Sequence, residues 1–267
     1  PELDHLPLQR TLGTDAPRLP YHRRNLEVKS TVHWGQRKLM LAELEFLTEY
    51  AHLAGHVVYA GAAPGEHLAC LCSLFPELHF EAFDPRPFAE ELSPPHGPAN
   101  LRLHQEPFTN AHATQLASVL QHLLFVSDIR TADWQKHEAV DHDARLLADL
   151  EAQRIWVQLL RPVRALLKFR LPYADGVTEY LAGELRLPVW GPQTTTECRL
   201  LVSASDSSAA HCSGTKYDHR RLLEQLFYFN VVARASIYAR PDAAALCPEA
   251  DSLLLAAGLC RCFDCSR

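Results

Sequence analysis

The chain has 267 residues, of which 47% are hydrophobic and 22% charged, and its formal net charge is -6. This is the composition of a globular chain with a full core, enough for one large domain or two small ones. It excludes a bilayer span, since no apolar run reaches the ~18–20 residues required, and it excludes broad non-specific nucleic-acid binding, which needs a strongly basic surface.

A local basic groove stays open. Its candidates are Arg23 and Arg24, the run Arg161, Arg164, Lys168 and Arg170, and the pair Arg220 and Arg221. The chain begins at Pro1 without a Met, as an excised fragment would, and no basic segment followed by an apolar stretch marks a secretory leader.

Residues 1–32 are rich in Pro, Leu and Arg without periodicity and read as an N-terminal arm. From Gln36 to Leu53, the positions Leu39, Leu41, Leu44, Phe46 and Leu47 suit an amphipathic helix, with Gly55 as its stop. Then come the strand "HVVYAGA", the helix "EHLACLCSLF" and the strand "LHFEAFD". A Pro-dense loop leads to the strand "NLRLHQEPF", a helix over 111–122, and the buried-type strand "LLFVSDI". "DHDARLLADLEAQRIWVQLL" is a long helix with Asp residues in its first turn, as the helix dipole favours. "VRALLKFRLPY", "ELRLPVW" and "ECRLLVSA" are strands, residues 218–230 are helical, and the last thirty residues are Ala/Leu-rich helix with loops.

Strands alternating with helices predict a mostly parallel sheet of seven strands covered by helices on both faces. Ligands of such sheets sit at the carboxyl ends of the strands. Gly61 to Gly65, Asp84 and Asp128 should therefore line one crevice.

The turn "GAAPG" lacks the G-x-G-x-x-G spacing that brings backbone close to a pyrophosphate, and Pro64 removes an N–H donor from it. Asp84 closes the next strand, 19 positions after Gly65, where a Rossmann-type fold places the carboxylate for ribose hydroxyls. A glycine turn and a ribose carboxylate without a phosphate cradle suit S-adenosylmethionine better than NAD. The plainer alternative is a tight strand-to-helix turn beside a solvated Asp.

Four polar residues sit oddly in this pattern. Asp128 ends an apolar strand, Lys168 interrupts another, Glu197 opens a third, and Lys38 lies near the start of the first helix. A lysine in an apolar strand must snorkel or find a carboxylate. Taken singly, each is a structural ion pair. Together, a Lys–Asp–Lys–Glu cluster can hold one amine oriented and able to accept a proton, since burial and a second amine depress a lysine pKa while a carboxylate raises it.

There are eight cysteines. Cys70 and Cys72 read as buried thiols in a helix. Cys260, Cys262 and Cys265, with Cys247 upstream, offer a single C-x2-C pair, so free thiols of a reducing compartment are the reading and no metal is expected.

At "HWGQRKLMLAELEFL", "VVYAGAAPGEHL", "FVSDIR", "LLKFRLPYAD", "ECRLL" and "LEQLFYFN", in that order over residues 33–230, the chain resembles the poxvirus cap-specific mRNA 2′-O-methyltransferases that double as regulatory subunits of poly(A) polymerase. The resemblance implies an α/β, Rossmann-like S-adenosylmethionine-dependent methyltransferase domain over residues 33–235. The arm 1–32 precedes it and a C-terminal helical and loop extension, 236–267, follows. The resemblance places the catalytic set on Lys38, Asp128, Lys168 and Glu197. It places cofactor contacts on Gln36, Tyr59, Gly61, Pro64, Gly65, His67, Asp84, Arg86 and Asp128, with Phe108 facing the adenine. Tyr173 and Asp175 fall where the family holds 7-methylguanine, with Tyr21 as the opposing ring and Glu224 as the second carboxylate.

A methylated guanine is cationic, so stacking on tyrosine adds a cation–π contribution of ~2 kcal/mol when desolvated, and a carboxylate accepts the N–H donors of its edge. RNA is read through single-stranded ends and 2′-hydroxyls. The expected function is methyl transfer from S-adenosylmethionine to the 2′-hydroxyl of the first transcribed nucleotide of 7-methylguanosine-capped mRNA. The expected partners are capped mRNA and a poly(A) polymerase catalytic subunit or other capping enzymes, in the cytoplasm or a viral factory and without a membrane. The rival readings are a capped-RNA-binding processivity subunit and a 2′-O-methyltransferase for another RNA position.

Overall fold

The computed structural model describes residues 11–22, 34–131, 139–188, 193–203 and 214–234, with the backbone alone for 34–37 and 139–140. The C-terminal extension and its cysteines, the pair Arg23 and Arg24, and the side chain of Gln36 lie outside the described residues.

Five parallel strands form the centre: β1 (His56–Ala60), β2 (His79–Phe83), β3 (Leu101–His104), β4 (Leu123–Ser127) and β5 (Arg164–Phe169). After β6 (Val177–Tyr180), strands β7 (Glu184–Arg186) and β8 (Cys198–Ser203) complete a seven-stranded sheet of order β3-β2-β1-β4-β5-β8-β7. β8 runs antiparallel to both of its neighbours. The strand burial explains the near-continuous apolar runs: β4 is buried at all five positions, as expected when helices cover both faces.

The period-2 alternation divides the core. Val57, Tyr59, Phe80, Leu124, Val126 and Leu166 face α1 (Trp34–Tyr50) and α2 (Leu68–Leu74). Val58, Ala60, Phe125, Ala165, Leu167 and Phe169 face the cluster built with α3 (Asn110–Val119), α4 (Ala139–Leu160) and α5 (His219–Tyr228). Burying a side chain of this size contributes about 1.5–3 kcal/mol, so these two layers fix the sheet that carries the site.

Some elements differ from the sequence reading. β6 pairs with β9 (Thr215–Asp218) in a separate two-stranded ribbon that was not expected. Both strands are short and polar, and register with each other, closed by His219 N donating to Gly176 O at 3.0 Å, is what makes them strands. α2 begins at Leu68 rather than at Glu66, and α3 ends before Leu120. Cys72 is buried, and burial pushes its thiol up to about 12, whereas Cys70 is only half-buried.

The described part of the arm lies across the domain. Thr11 bridges to Arg186, Leu12 N donates to Leu185 O at 2.9 Å, and Gln225 Nε2 donates to the carbonyls of Gly13, Thr14 and Ala16. These contacts bring Tyr21 onto α5. The expected basic run along β5 is split, because Arg161 and Arg164 stand at the strand's entry and Lys168 and Arg170 at its exit.

Candidate active site

Successive strands leave β1 toward β2 and β3 on one side and toward β4 and β5 on the other. The crevice of an open α/β sheet lies at that reversal, outside the carboxyl ends. Here Gly61 follows β1 with φ 83°, in the left-handed region that glycine adopts freely. A Cβ on Gly61 would stand 2.7 Å from the amide nitrogen of Ile129, so only glycine lets the turn come this close to the end of β4. Gly65 (φ 74°) turns the chain into α2.

Asp84 closes β2 and is 2% exposed. Its Oδ2 accepts from Ala63 N at 3.1 Å and from Arg86 Nη2 at 2.9 Å, and its Oδ1 accepts from Arg86 N at 2.9 Å and Arg86 Nε at 3.0 Å. The carboxylate thus ties the glycine turn to β2, and its free face is taken by the guanidinium of Arg86, whose side chain is 65% exposed. Arg86 Nη2 also donates to Ala63 O at 2.8 Å, so a ribose binding Asp84 must displace a well-held guanidinium. A glycine turn without a phosphate cradle and a carboxylate at this place fit a nucleoside such as that of S-adenosylmethionine.

Three expected cofactor contacts are buried. Phe108 packs edge-on to Phe83 at 4.9 Å and Trp156 at 5.0 Å, in the layer built with α3 and α4. His67 is buried with its Nε2 2.9 Å from Glu43 Oε2, and Tyr59 lies buried beside it. Pro64 lies in the turn between the two glycines.

At the ends of β4 and β5 and just before β8, the four odd polar residues meet. Lys38 Nζ lies 2.5 Å from Glu197 Oε1. Lys168 Nζ lies 3.1 Å from Asp128 Oδ1 and 3.8 Å from Glu197 Oε2. Arg199, absent from the expected set, joins both carboxylates: Nη1 is 2.7 Å from Asp128 Oδ1 and Nη2 is 3.3 Å from Glu197 Oε1. Arg130 Nη2 stands 3.5 Å from Glu197 Oε2 at the solvent side.

Burial opposes the charges of Asp128, Glu197 and Lys38, and their neighbours offset it or add to it. Burial would raise both carboxyls, but the surrounding Lys168 and Arg199, with Lys38 beside Glu197, hold Asp128 below the usual carboxylate range and Glu197 well below it. Burial lowers the amine of Lys38, Arg199 and Lys168 add to that, and Glu197 only partly offsets it. The loosened proton of the quartet is therefore on Lys38. The cluster sets three cations, Lys38, Lys168 and Arg199, against two carboxylates.

The expected cap residues share one surface next to this cluster. The rings of Tyr173 and Tyr21 lie 6.0 Å apart at 33°, and Tyr21 stands edge-on to Phe227 of α5 at 5.3 Å. Their hydroxyls approach the segment leading to Glu197, at 3.4 Å from Thr196 Oγ1 and from Thr194 O respectively. The guanidinium of Arg170 covers a face of Tyr173 at 4.5 Å. Asp175 and Glu224 are linked by Arg220, at 3.9 and 3.7 Å. A base between the tyrosines must part them or displace Arg170. An open cleft of about 410 Å³ continues past Lys168, between Arg130, Arg170, His142 and Leu146.

The family described as Poly A polymerase regulatory subunit matches residues 17–243. The chain belongs to that family. The match begins before residue 33 and ends after 230, so the arm around Tyr21 is part of the family's extent. The chain is 29% identical over 222 residues to the cap-specific mRNA (nucleoside-2′-O-)-methyltransferase of Myxoma virus (strain Lausanne), covering 78% of this chain and 64% of that protein. It is 26% identical over 221 residues to the protein of the same name from Fowlpox virus (strain NVSL), covering 76% of this chain and 68% of that one. The chain thus spans just under two thirds of the Myxoma relative's length. Among solved structures, bluetongue virus VP4 aligns with a TM-score of 0.49 at 16% identity, over 79% of this chain and 34% of VP4.

In this poly(A) polymerase regulatory subunit relative, Arg199 and Glu43 are the site-side residues that the sequence reading missed. Arg199 is a lone charge among apolar residues in "ECRLLVS", the pattern that marked Lys168. It is 5% exposed, on the face of β8 that carries Leu201 toward α1, and its charge is met by Asp128 and Glu197. No described helix is long and apolar enough to cross a membrane, and no described group of three His, Cys, Asp or Glu residues is arranged to hold a metal.

Proposed function

We propose that the chain is a cap-specific mRNA 2′-O-methyltransferase, acting on the ribose 2′-hydroxyl of the first transcribed nucleotide of 7-methylguanosine-capped RNA. The observation that carries this reading is the assembly of Lys38, Asp128, Lys168 and Glu197 at the strand ends beside a nucleoside-type crevice. The names of the viral relatives support the same reaction. The family description supports a poly(A) polymerase subunit as a second partner.

S-adenosylmethionine, held by Asp84 and the Gly61–Gly65 turn, supplies the methyl group when bound. Lys168, its amine aimed by Asp128 and Glu197, orients a lone pair of the 2′-hydroxyl at the methyl group and, as the neutral amine, takes up the hydroxyl proton as the methyl transfers. Lys168 and Arg199, with Lys38 beside Glu197, hold both carboxylates ionised, so both remain acceptors that aim the amine. Tyr173, Tyr21, Asp175 and Glu224 form the surface that takes the cationic base, with Arg170 between it and Lys168. Two substrates must be aligned, and orientation of this kind is worth up to about 7–11 kcal/mol of barrier.

Transfer of labelled methyl from S-adenosylmethionine to short capped and uncapped RNAs, followed by nucleoside mapping, tests the reading. Label in the 2′-O-methyl nucleoside next to the cap is expected. Label in a base, or equal labelling of uncapped RNA, contradicts it.

A further inference from the structure

Helix α1 is held to the rest of the site at two points. Toward β8, Lys38 meets Glu197 at 2.5 Å. Five residues on, about 7.5 Å along the axis, Glu43 meets His67 Nε2 at 2.9 Å. His67 stands between the glycine turn and the first residue of α2. Glu43, His67 and Tyr59 are 1%, 2% and 1% exposed. His67 is the one cation paired with Glu43 among the described residues, and the contact is one of charge at short distance, since neither ring nitrogen of His67 and neither oxygen of Glu43 makes an aligned hydrogen bond there.

A buried ion pair adds little net stability compared with apolar groups of the same volume. Its effect is to be sought in what it connects. It joins the helix that carries Lys38 to the turn that faces the cofactor crevice, across the strand that ends in Gly61.

We propose that Glu43 is a positioning residue for methyl transfer: by holding His67 it fixes α1, and with it Lys38, to the cofactor turn. This rests on the methyltransferase reading above. Glu43 is too deeply buried to touch either substrate, so it acts through His67 and the helix. Burial is the largest single influence on the His67 pKa and lowers it, but Glu43, Asp128 at the end of β4 and Glu66 on the same segment together outweigh burial, so the imidazolium is favoured. Tyr59 of β1 is the other titratable group facing the pair, and burial together with Glu43 keeps its phenol protonated. The pair is therefore lost as pH rises through the raised pKa of His67.

The test is Glu43→Gln, which keeps the shape and removes the charge. Single-turnover methyl transfer is measured against pH, with S-adenosylmethionine affinity by calorimetry and the His67 titration by NMR on the same proteins. The rate at neutral pH is expected to fall about tenfold, the scale of a coupling change of 0.5–2 kcal/mol, while cofactor affinity changes by less than about threefold. The alkaline decline of the parent rate should move to lower pH together with the His67 midpoint. A parental rate and pH profile, or a loss that appears only in melting temperature, overturns the proposal. So does a fall in cofactor affinity as large as the fall in rate. A parent that transfers no methyl group defeats the functional reading instead. In that case the coupling is decided by hydrogen exchange of residues 38–46, expected to be faster in Glu43→Gln, with unchanged exchange overturning it.

Discussion

Lys38 Nζ and Glu197 Oε1 are 2.5 Å apart across 159 positions of sequence. This contact closes the site, because it locks α1 onto the antiparallel strand β8 and completes the ring of charges around Lys168. Removing the charge of Glu197 leaves Lys38, Lys168 and Arg199 with Asp128 as their sole carboxylate partner. Breaking a buried pair costs 3–5 kcal/mol, and the partial exposure of both side chains, 13% and 9%, favours the lower end. Glu197→Gln is expected to lose about 3 kcal/mol, or roughly 6–12 °C in melting temperature for a chain of this size. Folded-state pKa values of Asp128 and Glu197 lie below their unfolded ones, so their stabilisation is present above about pH 4 and lost as pH falls through the folded values. The acid limb of stability should therefore be shallower in Glu197→Gln, and thermal melting across pH 2–6 checks this.

Asp84→Ala is expected to weaken S-adenosylmethionine binding by about tenfold to a hundredfold, the cost of a lost charged hydrogen bond. Asp84 also holds Ala63 N, so some loosening of the glycine turn adds to the effect. Calorimetry giving an unchanged dissociation constant would remove Asp84 from the cofactor site.

Tyr173 is 40% exposed and stacked under Arg170 beside Tyr21. Tyr173→Ala is expected to weaken binding of 7-methylguanosine-capped RNA by about 10–30-fold, the scale of a desolvated cation–π contact, with much less effect on RNA carrying an unmethylated cap. Equal losses for the two RNAs in a fluorescence-anisotropy titration contradict a cap surface here.

The sheet was legible because its central strands are apolar runs bounded by turns, and the proposed catalytic set because Asp128, Lys168 and Glu197 interrupt or border those runs. What the sequence hid was set by tertiary cover. Arg199 lies in a buried strand and Glu43 in the first helix, and their partners Asp128, Glu197 and His67 come from distant parts of the chain. The β6–β9 ribbon was hidden because "VTEY" and "TKYD" have no apolar period of their own. The resemblance puts Phe108 at the adenine, and its contacts with Phe83 and Trp156 are tertiary ones that no local pattern encodes. Tyr21 and Glu224 were placed on the cap surface by resemblance. Their proximity follows from the arm hydrogen-bonding to α5, as in Leu19 N donating to Glu224 O at 3.2 Å, which no local pattern encodes.

Lys168→Arg tests the central claim most directly. Arginine keeps the positive charge for Asp128 and Glu197 but stays protonated, with a pKa above ~12, and presents a planar fork in place of a single amine. Single-turnover methyl transfer and thermal melting are to be measured on the same preparation. The account predicts a protein that melts near the parent temperature and binds S-adenosylmethionine and cap, but transfers methyl at least about a hundredfold more slowly, within the range that a proton-handling group contributes. A stable Lys168→Arg protein that turns over near the parent rate would contradict it, and would reduce Lys168 to a cation that balances two carboxylates.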